Sequence, residues 1–163
     1  VQLSNHLNNL QSNVYKSALV MFIAEILKSV IVEEEQNEKL FYFIKESILY
    51  LEDAHKFANF HIGFILDLSS FLGFYPRISD DENEVYFNLS EGLFQGFESP
   101  YTLSLDQSNW FSILLKNDFK SNQHIKLAKN HRIEILNLLM SYYELHIENF
   151  KPPKSLEVIK QVF

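Results

Sequence analysis

Asn13-Val14-Tyr15-Lys16-Ser17-Ala18-Leu19-Val20-Met21-Phe22-Ile23-Ala24-Glu25-Ile26-Leu27-Lys28-Ser29-Val30-Ile31-Val32 sets the reading of this chain. Val14, Ala18, Met21, Phe22, Ile26 and Val30 recur at three- and four-residue steps, the spacing of one helix face. Asn13, just before the run, is a suitable N-cap. Val20, Ile23, Leu27 and Ile31 widen the stripe over most of the circumference, which predicts a buried, central helix. Such a helix must be surrounded, and the rest of the chain is read for what surrounds it.

Residues 1–12 are polar and Asn-rich and read as a lead-in segment. Downstream, Glu33-Glu34-Glu35-Gln36-Asn37 breaks the apolar pattern. It reads as a solvated turn whose acids precede a helix N-terminus, where the dipole favours them. The second helix is expected over about Glu38–Leu51, with Leu40, Phe41, Ile44, Ile48 and Leu51 inward. The third is expected over about His55–Leu72, carried by Phe57, Phe60, Phe64, Leu68 and Phe71. Gly73 and then Pro76 fit its C-terminal stop. Arg77 to Glu84 is polar and acidic and reads as a surface loop.

Val85-Tyr86-Phe87-Asn88-Leu89, Ser90-Glu91-Gly92 and Leu93-Phe94-Gln95 make a short hairpin with Gly at the turn. Tyr101–Leu105 is read as extended. A fourth helix follows over about Asp106–Leu115, and a last long one over Lys126–Ile147 with Leu136, Leu139, Met140, Tyr143 and Ile147 in register. Pro152-Pro153 interrupts the chain, and Ser155 is expected to cap a short helix ending at Phe163. The fold class is mainly α: a helical bundle with a small β-hairpin insertion.

Composition agrees. The 163 residues are 47% hydrophobic, with 15 Phe but only 4 Gly and 4 Pro, which supports one domain with a real core and few tight turns. There is no Cys, so disulfides and thiolate zinc sites are excluded. A cysteine-free chain fits a reducing cytoplasm. The apolar runs fall short of the roughly 18 residues of a membrane span, and the opening Val1-Gln2-Leu3-Ser4-Asn5-His6 is no targeting signal. The chain reads as a fragment of a longer protein.

The net charge of −7 is uneven. Residues 1–113 hold 6 basic and 16 acidic side chains, and residues 114–163 hold 8 and 5, giving −10 and +3. Only the last third is able to present a basic face to a polyanion.

Catalytic patterns are absent from the sequence. The six histidines, His6, His55, His61, His124, His131 and His146, make no zinc-protease pair. There is no Gly-rich phosphate loop and no G-x-S-x-G elbow. His61 and His146 sit beside apolar positions, where a lone His is usually a hydrogen-bonded boundary residue.

Four segments together resemble one family. Ala18-Leu19-Val20-Met21-Phe22-Ile23-Ala24-Glu25-Ile26-Leu27, followed by acids and Leu40-Phe41, resembles the start of the helical domain of RecO, a bacterial recombination mediator. Phe64-Ile65-Leu66-Asp67-Leu68-Ser69-Ser70-Phe71-Leu72-Gly73-Phe74-Tyr75-Pro76 is similar to that family's helix running into its L-G-[FY]-x-P step. Tyr86-Phe87-Asn88-Leu89-Ser90-Glu91-Gly92-Leu93-Phe94 is similar to its Y-F-x-L-x-x-G-x-F segment, and Lys154-Ser155-Leu156-Glu157-Val158-Ile159-Lys160-Gln161-Val162-Phe163 to its closing helix. The best fit is to RecO proteins of the Bacteroidetes type.

The resemblance implies a C-terminal helical domain over 13–163, with 1–12 as linker from a missing N-terminal OB-fold. It implies no enzymatic activity and no cofactor. The function implied is DNA repair and recombination with RecR, RecA and, in some species, RecF. The partners implied are RecR, the acidic C-terminal tail of single-stranded DNA-binding protein, and single-stranded DNA held mainly by the missing domain, with no membrane involved. Two departures stand out. Many members carry a four-cysteine zinc site in the region matching Arg77–Glu98, and no Cys lies there, so zinc is not expected. Many also carry arginines just before the Phe matching Phe64, where this chain has Ile62 and Gly63, with His61 before them. The rival class is an all-α small-molecule sensor or adaptor whose Phe-rich interior encloses an apolar ligand.

A site for an acidic tail ending in an aromatic residue needs an apolar slot rimmed by cations. Lys126, Lys129 and Arg132, at i, i+3 and i+6, are the expected rim, with Lys116 and Lys120 shortly before and His61 as an addition.

Overall fold

In the computed structural model, which describes residues 7–31 and 37–163, eight helices and one hairpin are formed among the described residues. Asn8–Ser12 is a one-turn helix, α1. It lies in the segment expected to be a mere lead-in, yet it is fastened to the body. Leu10 is buried, and the Asn9 and Leu10 amides both donate to the Glu52 carboxylate at 2.8 Å. Orphan amides at a helix start need an acceptor, and a distant carboxylate supplies it here. Residues 1–6 and the acidic run Glu33 to Gln36 lie outside the described residues.

The decisive stretch forms α2, Val14–Val30, and Asn13 caps it by accepting from the Tyr15 and Lys16 amides. Its inward face is narrower than the sequence suggests. Leu19, Phe22, Ile23 and Ile26 are buried, but Val14 is 72% and Met21 60% exposed. Lys16 joins the buried face, its Nζ donating to the Glu52 carbonyl at 2.7 Å and standing 5.3 Å from the Phe57 ring.

Asn37 caps α3, Glu38–Asp53, by accepting from the Leu40 amide. Leu40 and Leu51 are buried and Ile44 and Ile48 half-buried, as their spacing requires, whereas Phe41 points outward. A turn over residues 55–59 then precedes α4, Phe60–Phe71, which is shorter than its apolar pattern predicts. Its first turn is replaced because Asn59 spends its side chain elsewhere, donating to the Asn122 and Ile125 carbonyls at 2.9 Å. α4 is the central helix: Phe60, His61, Ile62, Gly63, Phe64, Ile65, Leu66, Leu68 and Ser69 are all buried. The sequence assigned that place to α2. α4 ends as expected, with Gly73 at φ 88° and the Phe74 amide closing back on the Ser69 carbonyl at 3.0 Å.

The antiparallel hairpin pairs β1, Tyr86–Asn88, with β2, Leu93–Gln95, with Phe87 opposite Phe94. The extended segment before the next helix adds to it, the Leu103 amide donating to the Phe87 carbonyl at 2.8 Å. Asn88 is buried and organises the turn, its Oδ1 accepting from the Ser90 and Glu91 amides. Ser104 and Gln107 form a capping box for α5, Leu105–Lys116. Phe111 of α5 stacks on Phe87 at 4.9 Å.

A four-residue helix unforeseen in the sequence, α6, Phe119–Asn122, covers α4. Gly63 makes room for it, since a Cβ there would lie 3.1 Å from the Phe119 ring. α7, Lys129–His146, packs on α4 through Leu136, Leu139, Met140 and Tyr143, and the Tyr143 hydroxyl donates to the Ile65 carbonyl at 2.6 Å. α8, Leu156–Val162, lies against α2 with Leu156, Ile159 and Phe163 buried. Ser155 does not cap it by its side chain; its amide and hydroxyl both donate to the Glu25 carboxylate at 3.1 and 3.2 Å.

Two glycines in left-handed backbone separate strain from collision. At Gly73 a Cβ meets nothing within 4 Å, while at Gly92, φ 66°, it lies 2.6 Å from the Tyr142 hydroxyl. Gly73→Ala is expected to cost about 1–2 kcal/mol from backbone strain alone. Gly92→Ala should cost more, about 2–4 kcal/mol, because the Tyr142 bond to the Phe74 carbonyl is also disturbed. Equal denaturant midpoints for the two variants would refute the difference.

Candidate partner-binding surface

Of the cations expected to form a rim, Lys129 and Arg132 have their side chains used within the fold. α7 starts at Lys129, with Ala128 as its N-cap, so Lys126 is outside the helix and the expected i, i+3, i+6 row is broken. The cause is Leu127, whose burial turns the chain inward just before the helix. Lys126 and Lys129 are exposed and Arg132 is half-buried.

Arg132 donates through Nε to the Phe163 carbonyl at 2.8 Å and through Nη1 to the Leu127 carbonyl at 2.6 Å. Lys129 donates through Nζ to the Gln161 carbonyl. Both cations therefore meet the carbonyl end of α8, where the helix dipole favours positive charge. Beside them Phe163 is buried among other rings. Its ring lies 6.3 Å from Tyr15, 6.2 Å from Phe57 and 5.5 Å from the His61 ring.

His61 is not part of a rim. It is 1% exposed, its ring edge-on to Phe22 at 6.3 Å. The position is in the covered part of α4, Phe60 to Leu66, so a side chain there has no path to solvent. Burial, assisted by the nearby Arg132 charge, lowers its pKa to about 3. Lys116 and Lys120, which precede the edge in sequence, belong to α5 and α6 and line other clefts.

One polar cluster escaped the sequence reading, and a second surrounds His146, which the sequence places as a hydrogen-bonded boundary residue. Lys16 and Glu52 are buried on facing helices and join α1, α2 and α3. His146 stacks on Phe74 at 5.3 Å, lies 4.3 Å from the Tyr142 ring, and shares a 2.8 Å hydrogen bond with the Leu89 carbonyl. An acid and a base lying 36 residues apart carry no local signal of pairing. The acidic loop at Arg77 is tied by its amide to the Gly92 carbonyl at 2.8 Å. No group of three or more metal-ligating side chains is gathered among the described residues.

Comparison with known proteins follows the same lines as the segments. The family model described as Recombination protein O C terminal matches residues 11–157. The chain belongs to the RecO family. It is 39% identical over 163 residues to the DNA repair protein RecO of Christiangramia forsetii, covering 99% of this chain and 68% of that protein. It is 37% identical over 163 residues to the DNA repair protein RecO of Flavobacterium psychrophilum, covering 100% and 68%. The RecO of Bacteroides fragilis is 33% identical over 154 residues, covering 91% and 63%. No solved structure matches the chain. The mainly α bundle with its hairpin is thus the RecO C-terminal domain, and no described helix is long and apolar enough to cross a membrane.

The buried His61 gives the fold a pH dependence. Its folded-state pKa, about 3, lies below the ordinary 6.5. The unfolded chain therefore binds the extra proton between those values, so the stability is full above pH 6.5 and is lost as pH falls toward 3. Replacing His61 with Phe is expected to remove on the order of 1–2 kcal/mol of the stability lost between pH 6.5 and 5. Denaturant unfolding of both proteins at those two pH values checks this; parallel losses would show that other groups carry the dependence.

Proposed function

We propose that this domain is the partner-binding body of a recombination mediator, and that it works without making or breaking covalent bonds. The observation that carries this is the RecO family match over residues 11–157, together with relatives named DNA repair proteins. In this reading RecR, RecA and single-stranded DNA coated by its binding protein are the machinery served. Single strands are held mainly by an OB-fold domain outside this chain, because a domain with net charge −7 repels phosphate at long range.

The acidic tail of single-stranded DNA-binding protein is the partner suited to the edge formed by Lys126, Lys129 and Arg132. Lys126, just before α7, and Lys129, at its first position, are exposed, and the half-buried Arg132 adds its charge although its guanidinium is bonded to the Phe163 and Leu127 carbonyls. Long side chains of this kind attract a carboxylate-rich peptide at the surface. Insertion of the peptide's terminal ring requires the place that Phe163 fills, so the tail engages the edge by charge first.

The sensor reading is less well supported. The interior Phe rings pack on one another, Phe43 on Phe64 and Phe71 at 5.1 and 4.8 Å and Phe60 on Phe119 at 5.5 Å. Phe60 and Phe64 are fully buried in that packing.

Reversing Lys126 to Glu, which spares the Lys129 and Arg132 bonds to α8, is expected to weaken binding of a labelled acidic tail peptide about threefold, with an unchanged melting curve. Undiminished binding would remove the site from this edge. In a parallel anisotropy titration at physiological salt, the domain alone should bind a single-stranded oligonucleotide at least about tenfold more weakly than the full-length protein. Equal affinities would overturn the division of labour.

A further inference from the structure

Opposite in charge to the cationic edge, an open cleft of about 470 Å³ lies among α3, α4 and α6. Phe43, Tyr50 and Phe119 form its apolar walls, and Glu46, Asp53 and Asp67 stand around them with a single lysine, Lys120. Tyr50 and Phe119 meet edge-on at 5.4 Å. Asp118, at the start of α6, adds a further carboxylate acting on Asp67.

Asp67 is out of keeping with its position. It sits on the central helix between the buried Leu66 and Leu68, where a packing role would call for an apolar side chain. Its backbone carbonyl accepts from the Ser70 hydroxyl, but among the described residues its carboxylate takes part in no hydrogen bond or ion pair. Water still reaches its oxygens, which are not among the fully buried unpartnered atoms, but partial burial disfavours the charged form. Burial, and then the Asp118 charge, raise its pKa to about 6. The other groups around it do little to relieve this. Glu46 and Asp53 from α3 are of like charge, the Tyr75 and Tyr143 hydroxyls have pKa values raised first by burial and only secondarily by the Asp67 charge, and Lys120 is the one cation lining the cleft.

We propose that this cleft is a docking site for a protein segment that presents an arginine or lysine beside an apolar side chain. The apolar neighbour covers Phe43, while the cation lies between the Tyr50 and Phe119 rings and the Asp67 and Glu46 carboxylates. A cation held there gains both the carboxylates and the ring faces. The same carboxylates turn away phosphate, so a nucleic acid is the wrong occupant. This inference is independent of the tail-binding edge, since it uses different helices and the opposite charge.

The test is carbon-detected NMR of the carboxylates and aromatic rings of the intact protein, titrated with the blocked tripeptide acetyl-Phe-Arg-Leu-amide. Its neutral counterpart with Gln in place of Arg is the control. The Arg peptide is expected to shift the Tyr50 and Phe119 resonances and to lower the Asp67 titration midpoint from its starting value of about 6. Asp67→Asn, and separately the solvent-exposed Glu46→Gln, which leaves the core untouched, should each weaken binding by about threefold or more. Four results would each overturn the proposal: equal binding of the Gln peptide, silence of the cleft resonances at about 10 mM peptide, full binding by both variants, or stronger perturbation of the cleft by a single-stranded oligonucleotide.

Discussion

A helix with almost no solvent-facing side has to be covered on every side, and α4 imposes that requirement on this molecule. From Phe60 to Leu66 no side chain reaches water. α2, α3, α6 and α7 all pack against it. Each contact has its own chemical device. Gly63 admits α6 at close range, Tyr143 bonds the Ile65 carbonyl, and Phe43 stacks between Phe64 and Phe71. Burial of this many large side chains, at about 1.5–3 kcal/mol each, is the main stabilising term, and it also explains why α4 resists any surface role for His61.

Polar groups hold the less regular parts in place. Glu52 caps α1, Glu25 receives Ser155, Asn88 shapes the hairpin turn, and Asn59 with Asn122 ties α6 to its neighbours. These bonds join side chains to backbone, locally at Asn88 and Asn122 and across distant segments at Glu52, Glu25 and Asn59, and they satisfy donors and acceptors that the short elements cannot satisfy among themselves. Four-residue and five-residue helices would not persist alone in water; here they are clamped.

The charged surface divides accordingly. The positive end of the chain gathers at α7 and α8, where Lys129 and Arg132 serve a helix terminus while leaving Lys126 outside. The negative excess of residues 1–113 concentrates partly at the α3–α4 cleft. A domain with two faces of opposite sign is suited to contacts with more than one partner, which is the behaviour a member of the RecO family is proposed to need.

The sequence by itself determined most of the element list, though not the short α1 and α6: the cap at Asn13, the stop at Gly73, the hairpin around Gly92, and the inward stripes of α3 (Phe41 apart), α7 and α8. These are local, because periodicity, capping and turn chemistry act within a few residues. Tertiary structure alone decided which apolar helix is central. Both α2 and α4 are apolar nearly all round, and only packing leaves Met21 outside and Ile62 inside. It also decided the candidate sites. Lys129 and Arg132 were legible as a cationic group but not as ligands of α8, because their partners lie about 30 residues away. Asp67 passed as one acid in an apolar run, and its isolation arises only when α3 and α6 close around it.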